Sequence, residues 1–501
     1  MSLTFFNVEK GEVAPPPKPS SVQLTYNDWD DWFTYETKFG VQYIDEDGRA
    51  HHIGWVKIGH AGQDKDERRT IVPKTFTELP EGYFSVGLSG DYYSDIVNFG
   101  IADEYFLAMR DMAYDLSVYQ AYKNEDVAQT SLFRSIDELR LETRYHRLAN
   151  GNVELTPYEF TYTFPPRDER QVGKTCVLNF SVKPDSLPPT NVHVLIGRNG
   201  VGKTTTLNNM IESILLPASN TGKFEIDSVS GGQEFANLVA VTFSAFDSFD
   251  HDGLGSDFHH IGLRAWADAE DEKIPYLKDT DELVLDFVSA ASNCLSGVKQ
   301  ERWSKALSTL SSDPLFAESG VSELADTTIH FDDWDSEAKE IFSGLSSGHA
   351  IVLLTITRLV EVVEEQTFVL LDEPEGHLHP PLLSAFIRAL SELLISQNGV
   401  ALVATHSPVV LQEVPASCVW IINRSGRTIV ASRPPLETFG EDVGRLTHTV
   451  FGLEVTDTGF HQIIRQKMID DGWTLETLLG EFEGQIGTEG MAVARSLQAL
   501  K

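Results

Sequence analysis

The sequence predicts an α/β fold, because three short apolar runs, each suited to a buried strand, lead directly into glycine-rich or polar stretches. Val192–Ile196 precedes "GRNGVGKT" at 197–204 and then "TTLNNMIESILL", whose apolar residues recur at helical spacing. The run at 368–371 ends in an Asp-Glu pair, and the run at 400–404 ends in a Thr-His pair. Strand, loop and helix thus follow one another in the order of an α/β domain.

The four letters VGKT occur twice, at 172–175 and at 201–204, and their surroundings distinguish them. A phosphate-binding loop needs a glycine five positions before its Gly-Lys pair, so that successive N–H groups point inward at the anion. The second copy has Gly197 there and Gly200 inside the loop, whereas the first has Asp168, whose carboxylate repels phosphate. We therefore expect the phosphate loop at the second copy, facing a helix N-terminus, and a strand or turn at the first.

Three further motifs suit a nucleotide site. Asp372 ends a buried run, where a carboxylate can hold Mg²⁺ through water, and the adjacent Glu373 can act as general base. His406, after the next run, is placed to sense a γ-phosphate or to orient water. The stretch "LSSGH" at 345–349 opens an apolar helix. Its N–H groups and the Ser346 hydroxyl predict either a second anion cradle or an ordinary N-cap.

These motifs, in this order, resemble the ABC-type ATPases, and among them the soluble SMC and RecF-like branch. Residues 197–204 are similar to its Walker A loop, 345–349 to its LSGGQ signature, the Asp-Glu pair to Walker B with its glutamate, and His406 to its switch histidine. The resemblance implies an ATPase head with a helical subdomain, and ATP and Mg²⁺ as cofactors. It also implies a homodimer or higher homo-oligomer, in which two ATP molecules lie between two heads.

The resemblance implies a role for each matching residue. Lys203 is expected to contact the β- and γ-phosphates, Thr204 and Asp372 to hold Mg²⁺, and Glu373 and His406 to catalyse hydrolysis. The implied nucleotide contacts are Gly197, Asn199, Gly200, Gly202, Lys203, Thr204, Thr205, Ser346 and Gly348, the last two reaching across to the γ-phosphate on the second head.

The sequence also departs from the family pattern. The usual glutamine after the next strand is not obvious, since Ser244 stands at the aligned place with Asp247 nearby. Ser347 replaces the first signature glycine, His349 replaces its glutamine, and the loop after Walker B ends in His379 rather than aspartate. "DEPEGHLHP" is similar to the version in RecF-like and OLD-like bacterial ATPases, including those of anti-phage systems. We interpret the changes as a branch signature, with slow or silent hydrolysis left open.

Composition and charge limit the location and the partners. The chain has 501 residues, which predicts roughly two to four domains, and its 41% of hydrophobic residues is ample for packed cores. Its 3 cysteines form no disulfide or metal pattern, and no apolar stretch approaches a membrane span, so we expect a cytoplasmic protein. The formal charge of −36 disfavours nucleic acid as a partner. A local DNA contact stays open at Arg140, Arg144 and Arg147, which share one face if helical, with a solvated, acid-paired face as the alternative.

The sequence divides into six predicted parts. They are a flexible Pro-rich tail at 1–20, a β-rich interaction domain at 21–150, an ATPase lobe with Walker A at 151–257, a helical subdomain at 258–343, an ATPase lobe with the signature, Walker B and switch histidine at 344–450, and a helical C-terminal tail at 451–501. Alternation predicts a hairpin with strands near 34–43 and 53–58 around an Asp-Gly turn. Residues 156–182 alternate like paired antiparallel strands, whose aromatic residues either stack on adenine or pack in the core.

The chain looks most like the ATPase subunits of bacterial anti-phage operons of the PtuA (Septu) and AriA (PARIS) kind. That resemblance implies that ATP-driven closure of paired heads holds or releases a separate effector protein, often a nuclease. The roughly one hundred residues between 244 and 344 lack sustained heptads, which disfavours a long coiled coil. Two alternatives stay open: a RecF-like DNA-repair or DNA-sensing ATPase, and a non-hydrolysing scaffold stabilised by ATP.

Overall fold

The polypeptide forms an N-terminal sheet domain, a central α/β domain and a helical C-terminal region, which confirms the predicted fold class. The computed structural model describes residues 3–8, 18–27, 34–136, 138–151, 155, 157–165, 176–216, 220–227, 235–242, 258–269, 272–295, 297–326, 329, 333–425, 428–451 and 459–499. Within this part of the chain, every helix is too short or too polar to cross a membrane.

In the part of the N-terminal domain that the structure describes, six strands form a sheet: β1 (Thr4–Val8), β2 (Ser21–Tyr26), β3 (Lys38–Ile44), β4 (Ala50–His60), β5 (Thr75–Phe76) and β6 (Tyr83–Gly87). Their order is β5-β1-β2-β3-β4-β6, with β1 and β2 parallel and the other neighbours antiparallel. The predicted hairpin is confirmed as β3 and β4, joined through a turn in which Gly48 has a φ of +83°. The predicted tail at 1–20 is wrong over β1, because Phe5 is fully buried and stacks on Phe76 at 4.9 Å.

Short helices complete the N-terminal domain. They are α1 (Gly90–Asn98), α2 (Ala102–Met109), α3 (Leu116–Tyr122), α4 (Asp126–Thr130), a 3-10 turn (Leu132–Ser135), and a continuous run of α5 (Glu138–Arg140), a π turn (Leu141–Tyr145) and α6 (His146–Ala149). Tyr92, Tyr93 and Phe106 are fully buried between these helices and the sheet. A side chain at Gly87 in β6 would meet the Tyr92 ring at 2.1 Å, so a glycine there permits the close packing of α1.

The described residues of the central domain form twelve strands: β7 (Tyr158–Thr163), β8 (Val177–Val182), β9 (Val192–Ile196), β10 (Lys223–Asp227), β11 (Leu238–Thr242), β12 (Phe258–Gly262), β13 (Arg264–Ala269), β14 (Glu272–Leu277), β15 (Phe368–Asp372), β16 (Val400–Thr405), β17 (Val419–Ser425) and β18 (Thr428–Ser432). Seven of them form one sheet in the order β12-β11-β15-β16-β9-β17-β18, parallel except for β18. Parallel strands covered on both faces read as continuous apolar runs, which is why the sequence marks them clearly.

A smaller antiparallel sheet, β10-β7-β8, lies beside the main one, as the alternation at 156–182 predicts. Phe160 is fully buried and stacks on Phe180 at 4.7 Å. Tyr158, Tyr162 and Phe164 are buried as well, so the structure supports core packing for these aromatic residues rather than stacking on adenine.

The helices of the central and C-terminal regions, with π and 3-10 turns omitted, are α7 (Lys203–Leu215), α8 (Thr280–Asn293), α9 (Gly297–Leu310), α10 (Pro314–Glu318), α11 (Val321–Leu324), α12 (Trp334–Gly344), α13 (Ser347–Val362), α14 (Pro380–Ser396), α15 (Pro408–Gln412), α16 (Val443–Phe451), α17 (Gly459–Arg465), α18 (Leu475–Glu481) and α19 (Thr488–Ala499). The predicted helical subdomain at 258–343 is wrong over its first part, because β12 joins the main sheet and β13 pairs with β14. The alternation of apolar and polar residues in β12, β13 and β14 is short, and residues 243–257 before it lie outside the described part of the chain. Helix α8 begins only at Thr280, after a capping box made by Asp279 and Glu282.

Three arginines dock the N-terminal domain onto the central domain. Arg144, 4% exposed, lies 3.1 Å from Glu364 Oε2 and 3.6 Å from Glu365 Oε2, and Arg147 also pairs with Glu365. Arg140 donates to the carbonyl of Ala236 at 2.8 Å. The prediction of a DNA-binding or solvated face is therefore wrong, because these side chains face another domain. Their acidic partners lie more than 200 residues away in the sequence, so no local pattern indicates them.

A buried carboxyl group also lies at this contact between the N-terminal and central domains. Asp95 in α1 accepts a hydrogen bond from the N–H of Val298 in α9 at 2.8 Å. Burial raises the pKa of Asp95 to about 7, and the charge of Asp91 adds to this rise, although two neighbouring cations oppose it. The carboxyl group is thus neutral in the folded protein at mildly acidic pH, where the unfolded chain already ionises it.

Because the folded pKa is raised, the stability contribution of neutral Asp95 is full below about pH 4 and is lost as the pH rises through about 7. We expect Asp95→Asn to flatten the fall in the free energy of unfolding between about pH 5 and 8, since an amide cannot ionise. Urea denaturation at several pH values measures this, with exposed Asp470→Asn as the control. Asp111, whose pKa burial also raises to about 7, leaves a residual slope. Identical slopes for Asp95→Asn and wild type would contradict the prediction.

Candidate functional site

The loop between β9 and α7 has the backbone of a phosphate cradle. Gly200 and Gly202 have φ values of +78° and +103°, a region that favours glycine. A side chain at Gly197 would meet the carbonyl oxygen of Ile422 in β17 at 2.3 Å, so this position is also restricted to glycine. Asn199 at the loop and Thr205 in the first turn of α7 are exposed, whereas Thr204 is half-buried. The glycines therefore let a helix N-terminus open at the carboxyl edge of the sheet, where an anion binds.

Lys203 turns its side chain back over this loop. It is 4% exposed, and its Nζ donates to the carbonyl oxygens of Gly197 at 3.1 Å and Arg198 at 3.3 Å. The same Nζ lies 3.3 Å from Glu373 Oε1. A buried ammonium group above an open helix N-terminus fits a polyphosphate.

The strand that ends in Asp372 supplies two carboxylates at the same edge. Asp372 is 7% exposed, and it lies opposite Thr242 of the neighbouring strand β11. Glu373 follows with a φ of +45°, a left-handed conformation that is strained for a glutamate, and its N–H donates to Ala404 O at 2.8 Å. This backbone conformation ends the strand and directs the next residue away from it.

The strand order brings His406 to Glu373. Strand β16 lies between β15 and β9, so the chain beyond Thr405 emerges between the acidic pair and the phosphate loop. His406 Nδ1 lies 3.6 Å from Glu373 Oε1 and 3.0 Å from Glu375 Oε1. Lys203, Glu373 and His406 thus converge from three neighbouring strands.

Glu375 also belongs to this site, but it is not among the residues predicted from the sequence. Its Oε1 accepts hydrogen bonds from the Thr405 hydroxyl at 2.6 Å and from the His406 N–H at 2.7 Å. Its side chain is 8% exposed, so it fixes the end of β16 from beneath the site. The signal was present in "DEPE", where a second carboxylate follows Glu373 by two positions.

The signature stretch lies at the start of α13. Ser346 is the N-cap of this helix and is exposed, while Gly348 is buried in its first turn. The recorded hydrogen bonds of the Ser346 hydroxyl go to His349. Among the described residues, no recorded polar contact joins Ser346 to the phosphate loop of the same chain.

Two sequence expectations fall outside the described residues. Ser244 and Asp247, the candidates for the glutamine position, lie in 243–257, and the first VGKT lies in 166–175. The described part of the chain holds no group of three or more His, Cys, Asp or Glu side chains that would bind a metal by themselves. A Mg²⁺ ion at Thr204 and Asp372, as the sequence predicts, would need phosphate oxygens and water to complete its ligands, as is common for this ion.

A curated relative covers nearly the whole chain. "Protein ea59" of Escherichia phage lambda is 39% identical over 527 residues, which include 99% of this chain and 98% of that protein. The chain belongs to the ea59 family. Residues 223–412 of this ea59-family chain also match the family profile described as "AAA domain, putative AbiEii toxin, Type IV TA system".

Solved structures of transporter ATPases show a weaker likeness to the ea59-family chain. The ATP-binding cassette of an ABC transporter in its ADP conformation, MJ1267, is 15% identical, with 60% of this chain and 98% of that chain covered and a TM-score of 0.31. The cbiO1 subunit of the cbiONQ transporter from Clostridium perfringens is 16% identical, with 64% and 98% covered and a TM-score of 0.29.

The arrangement in the ea59-family chain is that of a P-loop ATPase of the ABC/AAA type. A glycine loop and a lysine are placed to bind phosphates, and a carboxylate pair lies one strand away from them across β16. The carboxylate of Glu373 is half-buried beside two groups that can carry positive charge, so it can accept a proton from water.

Proposed function

We propose that the chain binds and hydrolyses ATP with Mg²⁺, and that ATP closes two copies into a dimer of heads that holds or releases a separate effector protein. The observation that carries the proposal is the convergence of Lys203, Glu373 and His406, with 3.3 Å between Lys203 Nζ and Glu373 Oε1 and 3.6 Å between His406 Nδ1 and the same oxygen. A lysine, a general base and a histidine at one phosphate loop form the minimal machinery of ATP hydrolysis.

Each side chain has one task in this proposal. Lys203 binds the β- and γ-phosphate oxygens, and Thr204 and Asp372 hold Mg²⁺, which when bound supplies positive charge to the phosphate oxygens. Glu373 accepts a proton at Oε1 from the attacking water. His406 orients the γ-phosphate. Glu375 holds the His406 ring in place, with Glu375 Oε1 3.0 Å from His406 Nδ1.

The second head completes the site in this proposal. Ser346 and Gly348 open α13 and are placed to bind the γ-phosphate on the partner copy, because a serine N-cap and free N–H groups form an anion site. Closure of two identical copies gives a two-fold symmetric pair, the commonest oligomer.

The link to a toxic effector is supported by one comparison. The matching family profile is described with reference to a toxin of a toxin–antitoxin system. An ATP switch that restrains a toxic effector, such as a nuclease, in anti-phage defence fits this description. The alternative function, DNA sensing, would need the arginine patch to bind DNA, but Arg144 in this patch docks the N-terminal domain onto the central domain.

Lys203→Ala is expected to abolish nucleotide binding, because it removes the buried cation above the loop. The measurement is the affinity for a fluorescent ATP analogue, with Lys223→Ala, an exposed lysine in β10, as the matched control. A loss of affinity of about a hundredfold or more agrees with the removal of charge-assisted hydrogen bonds to phosphate. Unchanged binding in Lys203→Ala would show that the site is assigned wrongly.

The effector proposal is tested by co-expression with the neighbouring gene. Light scattering of the purified material with and without ATP is expected to show an assembly that contains both proteins and changes composition with ATP. A lone chain that ignores both ATP and the neighbouring protein would contradict the proposal.

A further inference from the structure

The signature serine is held by a buried histidine and an aspartate. Ser346 Oγ lies 2.6 Å from His349 Nδ1, and His349 Nε2 lies 3.1 Å from Asp313 Oδ1. The side chains of His349 and Asp313 are 5% and 4% exposed, whereas Ser346 is exposed. The aspartate comes from the N-cap of α10, more than thirty residues away in sequence. A buried His-Asp pair thus ends on one exposed hydroxyl group.

We propose that His349 and Asp313 are positioning residues that turn the Ser346 hydroxyl into a donor for phosphate on the second copy. This inference rests on the proposed closure of two heads, and it concerns the residue that replaces the usual signature glutamine. It assigns these two residues to phosphate binding without placing either of them in contact with the nucleotide.

The protons on His349 decide whether the Ser346 hydroxyl can donate to a phosphate. Burial raises the pKa of Asp313, but hydrogen bonds from His349 and from the N–H groups of Leu315 and Phe316 lower it overall, so the carboxylate is ionised and accepts a hydrogen bond from the Nε2–H of His349. With neutral His349, Nδ1 then accepts the Ser346 O–H, and the only hydroxyl proton is used within the chain. With protonated His349, Nδ1 donates to Oγ, and the hydroxyl proton is free for a phosphate oxygen.

An anion at Ser346 therefore favours the protonated ring, which also brings a positive charge near the phosphate. Among the described residues, the titratable groups around His349 are Asp313 on α10 and His379 on α14, and the ring also contacts Phe316 at 5.0 Å. The carboxylate is shared, because His379 Nε2 lies 3.5 Å from Asp313 Oδ2.

The shared carboxylate also links the signature to the catalytic segment. His379 is the N-cap of α14, where its Nδ1 accepts the N–H of Leu382 at 3.3 Å, and it follows Glu373 along the chain by one short 3-10 turn. Asp313 thus ties together the N-termini of α10, α13 and α14. The serine that faces one nucleotide and the glutamate that acts on the other are connected through one carboxylate.

The test uses the full chain carrying Glu373→Gln, so that hydrolysis does not reverse closure. His349→Gln and Asp313→Asn are added separately, with His448→Gln, an exposed histidine in α16, as the matched control. Two quantities are measured: the affinity of the single chain for a fluorescent ATP analogue, and the ATP concentration that gives half-maximal association by light scattering. Thermal unfolding verifies that each variant is folded.

We expect unchanged nucleotide affinity but an ATP requirement for association raised about tenfold or more in both variants, the usual loss for a charged hydrogen bond. Adding His349→Gln to Ser346→Ala is expected to have little further effect, a coupling that a merely structural role would not produce.

The outcomes separate the inference from the proposed function. If the Glu373→Gln parent never associates with ATP, head closure itself is wrong. If the parent associates and His349→Gln and Asp313→Asn behave like His448→Gln, the positioning role is overturned. If His349→Gln is unfolded, Asp313→Asn decides, because its amide oxygen can still accept the N–H groups that begin α10.

Discussion

Replacing Glu373 by glutamine is expected to lower ATP turnover about a hundredfold or more while leaving nucleotide binding intact, because general-base catalysis contributes about 10² to 10⁴ in rate. The substitution keeps the size of the side chain and its place between Lys203 and His406, and removes only the ability to accept a proton. The measurement is steady-state phosphate release at saturating ATP. Glu225→Gln, an exposed glutamate in β10, is the matched control.

The same experiment decides between a switch and a scaffold. A non-hydrolysing scaffold predicts a low rate that neither substitution changes. Turnover in Glu373→Gln equal to that of wild type would therefore contradict the assignment of Glu373 as the base, whatever its absolute rate.

Replacing Arg144 by alanine is expected to have the second-largest effect, a loss of about 3 to 5 kcal/mol in the free energy of unfolding. Removing this arginine leaves the carboxylates of Glu364 and Glu365, which are 18% and 10% exposed, without their main buried cation. Burial alone would lower the pKa of Arg144, but Glu364, Tyr145 and Glu365 raise it overall, so the guanidinium is charged when folded. Its loss therefore leaves buried negative charges opposed by fewer cations.

Urea denaturation of the whole chain measures this effect, read from the first transition because several domains unfold. Arg388→Ala, which removes an exposed ion pair with Glu392 in α14, is the matched control and is expected to cost less than about 1 kcal/mol. An Arg144→Ala transition that coincides with the control would show that the two domains are held by other contacts.

The phosphate loop could be predicted from sequence because its requirements are local. Gly197, Gly200 and Gly202 are needed by the backbone itself, through close approach or positive φ, and only glycine meets such needs. The apolar runs of β9, β15 and β16 could also be predicted, since strands buried on both faces have no polar positions.

Features that depend on distant partners could not be predicted. Arg144 lies in a segment whose local acids suggested a solvated helix, but its partners are Glu364 and Glu365, which follow α13. Thr4–Val8 looked like part of a tail because β1 gains its partners β2 and β5 only through folding. Glu375 was overlooked because one more carboxylate in an acidic chain carries little information until its hydrogen bonds are seen.

The mass of the Glu373→Gln protein in the presence of Mg²⁺, with and without ATP, tests the central claim most directly. The chain has a mass of 55.7 kDa, and we expect light scattering to give about this value without nucleotide and about twice it with ATP. The Lys203→Ala, Glu373→Gln double variant is expected to stay at the lower mass. The same mass with and without ATP in the Glu373→Gln protein, together with intact ATP binding, would contradict a switch that works by closing two heads.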